Sequence, residues 1–123
     1  MARSDLPKPV RQLILRHIDS VQQVEILALL LREPDRVWSS AEVSRTLRIG
    51  PGPCDEWLNR FTLAGLVDRE EAGFRHAARG RDAATADALV ECYGRRRLAV
   101  IDTIYNKPNS AIESFSDAFR MRR

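Results

Sequence analysis

Apolar residues recur at helical spacing through the N-terminal quarter of the chain. After Pro7 and Pro9, which suit a helix lead-in, one stripe predicts a first helix and is formed by Val10, Leu13, Ile14 and Ile18. A second helix is expected to start at a cap made by Asp19 or Ser20. Residues 21–31 become apolar almost all round towards the end of the helix, which is typical of a helix at the centre of a fold.

Start and stop signals are densest between residues 38 and 81. Ser39 and Glu42 have the spacing of a capping box, so a third helix is expected to begin near Ser40. Trp38 and Val43 can close over its first turn. We expect residues 49–53 to stop this helix, because their prolines remove backbone donors and their glycines permit unusual backbone angles.

The next segment predicts a fourth, half-buried helix that ends at Gly65. Its inward positions follow helical spacing and are Cys54, Trp57, Leu58, Phe61 and Ala64. The outward set is therefore Asp55, Glu56, Asn59, Arg60, Thr62 and Leu63. Gly65 is placed to act as a left-handed cap.

A β-hairpin is expected after this helix. Residues 66–70 and 74–77 flank Glu71, Ala72 and Gly73, which predict a three-residue loop. Residues 36–38 can add a short strand to the hairpin.

The C-terminal part predicts a long helix from Asp82 or Thr85 to Tyr105, carrying an apolar seam that Arg97 interrupts. A helix of about 24 residues would be ~36 Å long, which is more than one small domain covers. Part of the seam is therefore expected to meet a partner. A short last helix with an apolar stripe of Ile112, Phe115 and Phe119 is expected after Asn106.

Composition places the chain among ordinary soluble proteins. With 123 residues, of which 44% are hydrophobic and 30% charged, it is long enough for one domain with a core of its own. No apolar run is long enough for a bilayer and the N-terminus predicts no secretory signal, so the cytoplasm is expected. Cys54 and Cys92 are expected to be reduced and packed among apolar residues, with a redox switch as the alternative.

No pattern for catalysis or for a cofactor or metal site is found in the sequence. Gly-rich phosphate loops, nucleophile elbows and metal-ligand motifs are absent from it. Glu70 and Glu71 are adjacent at a turn, where they are expected to point apart into water. His76 has no nucleophile or acid near it in sequence. We therefore expect no enzyme, no cofactor and no metal.

The capped helix VWSSAEVSRTL, the helix that ends in LAGLVDRE and the hairpin EEAGFRHA resemble the winged-helix transcription regulators, in particular the bacterial-type MarR-like group. The resemblance implies a winged helix-turn-helix, mainly α with a small antiparallel β-hairpin, a long C-terminal helix and a short last helix. Residues 1–81 would form the winged-helix domain, and residues 82–123 a helical dimerisation region packed on it. It also implies DNA binding through the helix of residues 53–64, with the hairpin touching the DNA backbone or minor groove.

Candidate DNA contacts divide into base readers and phosphate contacts. Asn59 and Arg60 suit base edges, because Asn pairs with adenine and Arg with guanine. Phosphate contacts are expected from arginines on the third helix and around the hairpin, namely Arg45, Arg48, Arg69, Arg75, Arg79 and Arg81.

The charge distribution keeps a second hypothesis open. The net charge is +3, yet residues 51–82 carry five basic and six acidic side chains, and Asp55 and Glu56 would meet phosphate unfavourably. The first hypothesis is a homodimeric, sequence-specific regulator that binds double-stranded DNA. Its dimer interface would be formed by Leu89, Tyr93, Arg97, Val100, Ile104, Phe115 and Phe119. The alternative is a winged-helix module that binds a protein partner and no DNA.

Overall fold

The computed structural model describes residues 6–77 and 79–106, apart from the side chain of Arg81. The helices of this part are α1 (Lys8–His17), α2 (Val21–Arg32), α3 (Ser40–Leu47), α4 (Pro51–Leu63), α5 (Arg81–Arg95) and α6 (Arg97–Tyr105). Its strands, β1 (Val67–Glu70) and β2 (Gly73–His76), pair antiparallel. The prediction of a mainly helical, winged-helix-like fold with one antiparallel hairpin is confirmed. The predicted last helix, with Phe115 and Phe119, lies outside the described residues.

Helix α2 lies at the centre of the core, as its all-round apolar pattern predicts. It packs against α5, α3 and β2, while α1 packs against α5 and α6. Ser20 and not Asp19 is its N-cap. Gln23 is fully buried, and its Oε1 accepts hydrogen bonds from the backbone N–H groups of Asp19 and Ser20. The glutamine thereby satisfies donors that the first turn leaves open.

The prediction of one long C-terminal helix is wrong, because the chain breaks at Arg96. That residue has φ −130° and ψ 56°, and α6 turns back to pack on α5 and α1. Gly94 weakens the end of α5, since glycine is about 1 kcal/mol less favourable than alanine inside a helix. Burial of Val100 and Ile104 in the core then favours the bent arrangement over a straight helix.

The hairpin has a shorter loop than predicted. Glu70 pairs with Gly73, which leaves Glu71 and Ala72 as a two-residue loop and makes Gly73 the first residue of β2. The expected third strand is reduced to an antiparallel bridge between Trp38 and Phe74. A Cβ atom on Gly73 would lie 2.1 Å from the carbonyl oxygen of Trp38, so the glycine is required by this close approach.

Candidate nucleic-acid interface

Local features fix both ends of α3, the helix that precedes α4. The Glu42 N–H donates to Ser39 Oγ at 3.1 Å, and the Ser39 N–H donates to Glu42 Oε1 at 2.9 Å, so the predicted capping box is confirmed. The backbone hydrogen bond from Ser39 lowers the pKa of the Glu42 carboxyl, because it stabilises the charged form. Helix α3 then ends at Arg48, which has left-handed backbone angles with φ 58°.

Helix α4 begins earlier than predicted, at Pro51. Residues 51–53 were expected to belong to the stop of the preceding helix. They form the first turn of α4 instead, since proline lacks only a donor that a first turn leaves unused. The other end is capped as expected: Gly65 has φ 79° and the Leu66 N–H donates to the Phe61 carbonyl at 2.8 Å.

One side of α4 is exposed and forms the candidate reading face, defined here as Asp55, Glu56, Asn59, Arg60 and Leu63. Asn59 is half-buried and the others are exposed, with Leu63 90% exposed. The opposite side packs into the core through Cys54, Leu58 and Phe61, with Trp57 half-buried beside them. The division of α4 into inward and outward residues is therefore confirmed apart from Thr62, which was predicted to point outward but is half-buried and donates to the Leu58 carbonyl at 2.9 Å.

Asn59 links the reading face to the hairpin. Its Nδ2 donates to the Asp55 backbone oxygen at 2.9 Å and to Asp55 Oδ2 at 3.3 Å, and its Oδ1 accepts from Arg69 Nη1 at 3.3 Å. The Arg69 guanidinium also lies over the Phe74 ring, 4.8 Å from its centroid. Because Arg69 lies on β1 and contacts Asn59 of α4, the helix and the hairpin share one polar surface at this point.

Arg60 has a loose ionic contact. Its Nη2 lies 3.9 Å from Asp19 Oδ2, and the two side chains are 45% and 63% exposed. Pairs that are this open to water are worth about 0–1 kcal/mol, so Arg60 can exchange this partner for another anion. Asp19 lies between α1 and α2, and the sequence offered no signal for this contact.

The two arginines of α3 differ in their electrostatic surroundings, because the charge of Arg45 is partly balanced by the nearby Glu42 carboxylate. Arg45 and Arg48 are exposed, and neither forms an ion pair with any described residue. Arg45 lies in the last turn of α3 and Arg48 at its left-handed end. Both belong to the helix that packs against α4.

The arginines around the hairpin differ in what they contact. Arg75 Nη2 lies 2.7 Å from Glu70 Oε2, so its charge is largely compensated. Arg79 is exposed and forms no ion pair with another described residue. Arg81 begins α5, and its side chain lies outside the description. A cleft of about 400 Å³ beside β2 is lined by Pro34, Asp35, Asp68, Arg75, His76 and Arg79.

His76 ties the hairpin to the helical core, a role that its sequence position did not reveal. Its Nε2 lies 2.9 Å from Asp87 Oδ1 on α5, and its side chain is only 13% exposed. The hairpin is therefore held from two sides, by Asp87 at one end of β2 and by the bridge to Trp38 at the other.

The residues predicted for the dimer interface are largely used within the chain. Leu89, Val100 and Ile104 are buried in its own core and Tyr93 is 9% exposed, so the seam is not free to meet a partner. Val100 and Ile104 are covered because the break at Arg96 folds α6 onto α1, whereas Leu89 and Tyr93 lie on α5, which packs against α2 and α1. Arg97 is exposed and lies over the Tyr93 ring, 4.5 Å from its centroid. Phe115 and Phe119 fall outside the described residues.

Neither cysteine has the surroundings of a reactive thiol. Cys54 and Cys92 are free, and burial raises the pKa of both thiols. Among the described residues, no group of three His, Cys, Asp or Glu side chains could hold a metal ion. In the same part of the chain, no helix has the length and apolar character needed to cross a bilayer.

No protein-family model, curated protein or solved structure matches the chain.

Proposed function

We propose that this chain is a sequence-specific, double-stranded-DNA-binding regulator of transcription. The observation that carries the proposal is a set of exposed arginines that form no ion pair among the described residues, on α3, which packs against α4, and on and just after the hairpin. The set consists of Arg48, Arg69 and Arg79, and Arg45 adds an exposed charge that Glu42 partly balances. Uncompensated guanidinium groups around an exposed helix attract the phosphates on either side of a major groove.

In this proposal α4 enters the groove and its reading face contacts the bases. Asn59 would pair with adenine and Arg60 with guanine. Both now contact carboxylates, Asp55 and Asp19, through bonds that water reaches. Exchange of these partners for base edges therefore costs little, and Arg69 can hold Asn59 in place from the hairpin.

We further propose that the regulator acts as a homodimer in the cytoplasm. Helix-turn-helix proteins commonly bind paired half-sites through two copies. With the seam buried, the apolar side chains that remain exposed on α6 are Leu98 and Tyr105, 81% and 59% exposed. They offer contact area for a second copy. The two free cysteines suit a reducing compartment.

The salt dependence of DNA binding tests the proposal. Fluorescence anisotropy with a random 20-base-pair duplex, about two turns long, is expected to show affinity that falls steeply with salt. Arg48→Gln should flatten the slope of log K against log salt by about one unit, because one phosphate contact is lost. Arg95→Gln removes the same charge from an exposed site on α5 and should leave the slope unchanged. Equal slopes for the two variants would contradict the proposed surface.

A protein partner is the second candidate, and a specific observation favours it. The first two turns of α4 expose Asp55 and Glu56, Arg60 lies near Asp19, and Leu63 is 90% exposed at the end of the same helix. Carboxylates beside an exposed leucine suit a basic and apolar protein surface better than they suit phosphate. Absence of DNA binding at low salt, on random and on selected sequences, would favour this candidate over the first.

A further inference from the structure

We propose that the C-terminal segment of residues 110–119 binds, within the same molecule, to a groove between α2, the end of α3 and α5. The segment lies outside the described residues. Three features of the molecule support this contact: the apolar walls of the groove, the cations at its edge, and the position at which the described chain ends. The contact does not depend on DNA binding.

The walls of this α2–α5 groove are mainly apolar. They are formed by Ala28 and Leu31 of α2, Leu47 of α3, and Val90 and Tyr93 of α5. The volume of the groove is about 560 Å³, in the range of cavities that hold whole small molecules, so more than one side chain can enter it. Apolar side chains placed here would be removed from water on several sides.

The edge of the groove is positively charged. Arg32, Arg48 and Arg97 line it and are exposed, and none of them forms an ion pair with another described residue. Glu25 is the carboxylate of the lining. The excess of guanidinium groups over this carboxylate favours an occupant with acidic side chains beside its apolar ones.

The described chain ends beside the groove. Tyr105 is the last residue of α6, and its hydroxyl oxygen accepts a hydrogen bond from the Val21 N–H, at the start of α2, at 3.2 Å. Glu25 and Ala28 follow Val21 at helical spacing and line the groove, so these three residues lie on one side of α2. Arg97, at the other end of α6, also lines the groove. A chain that turns back after α6 therefore meets the groove within a few residues.

The sequence of the segment matches these surroundings. Ile112, Phe115 and Phe119 share one apolar stripe at helical spacing. Glu113 and Asp117 are four residues apart and lie beside this stripe. The segment thus offers apolar side chains to the walls of the groove and carboxylates to the arginines at its edge.

The loop before the segment sets the register of the contact. Residues 106–109 have the length of a loop that joins two antiparallel helices. Arg97 and Asp117 are about equally far from this loop along the chain, so a helical segment that runs back along α6 brings Asp117 level with Arg97. These two side chains are therefore expected to form an ion pair.

Nuclear Overhauser spectroscopy of the full chain tests the contact directly. We expect cross-peaks between the ring protons of Phe115 or Phe119 and the methyl groups of Ala28, Leu31 and Val90. In an equal mixture of ¹³C-labelled and unlabelled chains, an isotope filter selects contacts between two copies. These cross-peaks should be absent from the filtered spectrum.

Chymotrypsin cleavage after Phe115, followed by mass spectrometry, measures how often the segment leaves the groove. Arg97→Glu should speed this cleavage about fivefold, because it replaces an attraction to Asp117 by a repulsion. Asp117→Arg should do the same, and the double variant should return the rate towards that of the wild type. Arg11→Glu, the same charge change at an exposed site on α1 outside the groove, is the matched control and should leave the rate unchanged. Each rate is divided by that of the free peptide of residues 107–123 with the same sequence, which corrects for the preference of the protease.

Three results would overturn the proposal. One is the absence of cross-peaks between these rings and the groove. A second is their appearance in the isotope-filtered spectrum, which would place the segment in the groove of a second copy. The third is cleavage of the wild-type chain as fast as that of the free peptide. All three use the wild-type chain, so they decide the matter even if a variant does not fold.

Discussion

The helix-turn-helix with its hairpin and the C-terminal pair of helices differ in what determines their structure. In the first region, short-range signals set each boundary: Ser39 and Glu42 cap α3, and Gly65 ends α4. In the second, α5 and α6 carry a continuous helical pattern, yet the chain bends at Arg96 to bury Val100 and Ile104. Local hydrogen bonds thus decide the first region, and long-range packing decides the second.

The two regions also differ in how far their helix faces are exposed to solvent. The reading face of α4 stays in water, whereas the seam of α5 and α6 is covered by the chain itself. A helix pattern indicates which residues share a side, but it does not indicate whether that side meets the core, a partner or solvent. For α4 the polar character of the outward residues resolved the question, and for α6 nothing local did.

The largest expected effect concerns the C-terminal region. Val100→Asp places a charge at a site with 0% exposure and should lower the free energy of unfolding by more than about 4 kcal/mol. Leu98→Asp, on the same helix but 81% exposed, should change the unfolding free energy of the monomer by less than about 0.5 kcal/mol, so the chain is diluted until it is monomeric. Urea unfolding measures both. A similar cost for the two changes would mean that α6 does not pack into the core.

The next largest effect is expected at the hairpin, where the first region depends on a contact between residues distant in sequence, Gly73 and Trp38. Gly73→Ala should lower the free energy of unfolding by about 2–4 kcal/mol. The added Cβ would lie 2.1 Å from the Trp38 carbonyl oxygen, so the bridge between Trp38 and Phe74 would have to separate. At Gly52 no atom lies within 4 Å of an added Cβ. Gly52→Ala is the control and should be neutral or slightly stabilising in thermal unfolding. If neither change lowered the unfolding temperature, the bridge between Trp38 and Phe74 would not contribute to stability.

A smaller effect tests whether local capping determines the start of α3. Ser39→Ala removes the side-chain acceptor of the Glu42 N–H and should lower the free energy of unfolding by about 1 kcal/mol. Ser40→Ala, one residue later, leaves that hydrogen bond intact and should have little effect. Urea unfolding of the two variants at neutral pH makes the comparison. If they unfold alike, α3 depends on its packing against α4 and not on its cap.

The smallest effect is a dependence on pH at the same cap. Because the pKa of Glu42 is lowered in the folded chain, its carboxylate stabilises the fold at pH values above the ordinary glutamate pKa, about 4.3. This contribution is lost as the pH falls through the lowered folded value. The difference in unfolding free energy between wild type and Glu42→Gln should therefore shrink from pH 7 to about pH 3. A constant or growing difference would show that the carboxylate charge is not involved.

Features set by local hydrogen bonds could be predicted from the sequence, and features set by long-range packing could not. The caps, the glycine at residue 65 and the two sides of α4 were readable, because each depends on residues within one or two turns. The loop of the hairpin was misjudged by one residue, since the position of Gly73 depends on Trp38, which is distant in sequence. The break at Arg96 was missed for a similar reason, because α1 supplies the surface that α6 covers.

The candidate site was predictable in its members but not in their contacts. Asn59 and Arg60 were identified as outward polar residues, and both belong to the exposed side of α4. Their partners Arg69 and Asp19 lie on other elements, so no spacing rule could indicate them. The same holds for the compensation of Arg75 by Glu70, which separates it from the uncompensated Arg79.

An NMR titration tests the central claim, that the reading face of α4 and the hairpin meet DNA. With a 20-base-pair duplex, about two turns long, added to the ¹⁵N-labelled chain, amide signals of residues 52–63 and 69–75 should shift or broaden, and those of α1 should not. Increasing salt should reverse the changes. Signals that stay unchanged in α4, or that shift only in α6, would contradict DNA binding through this face.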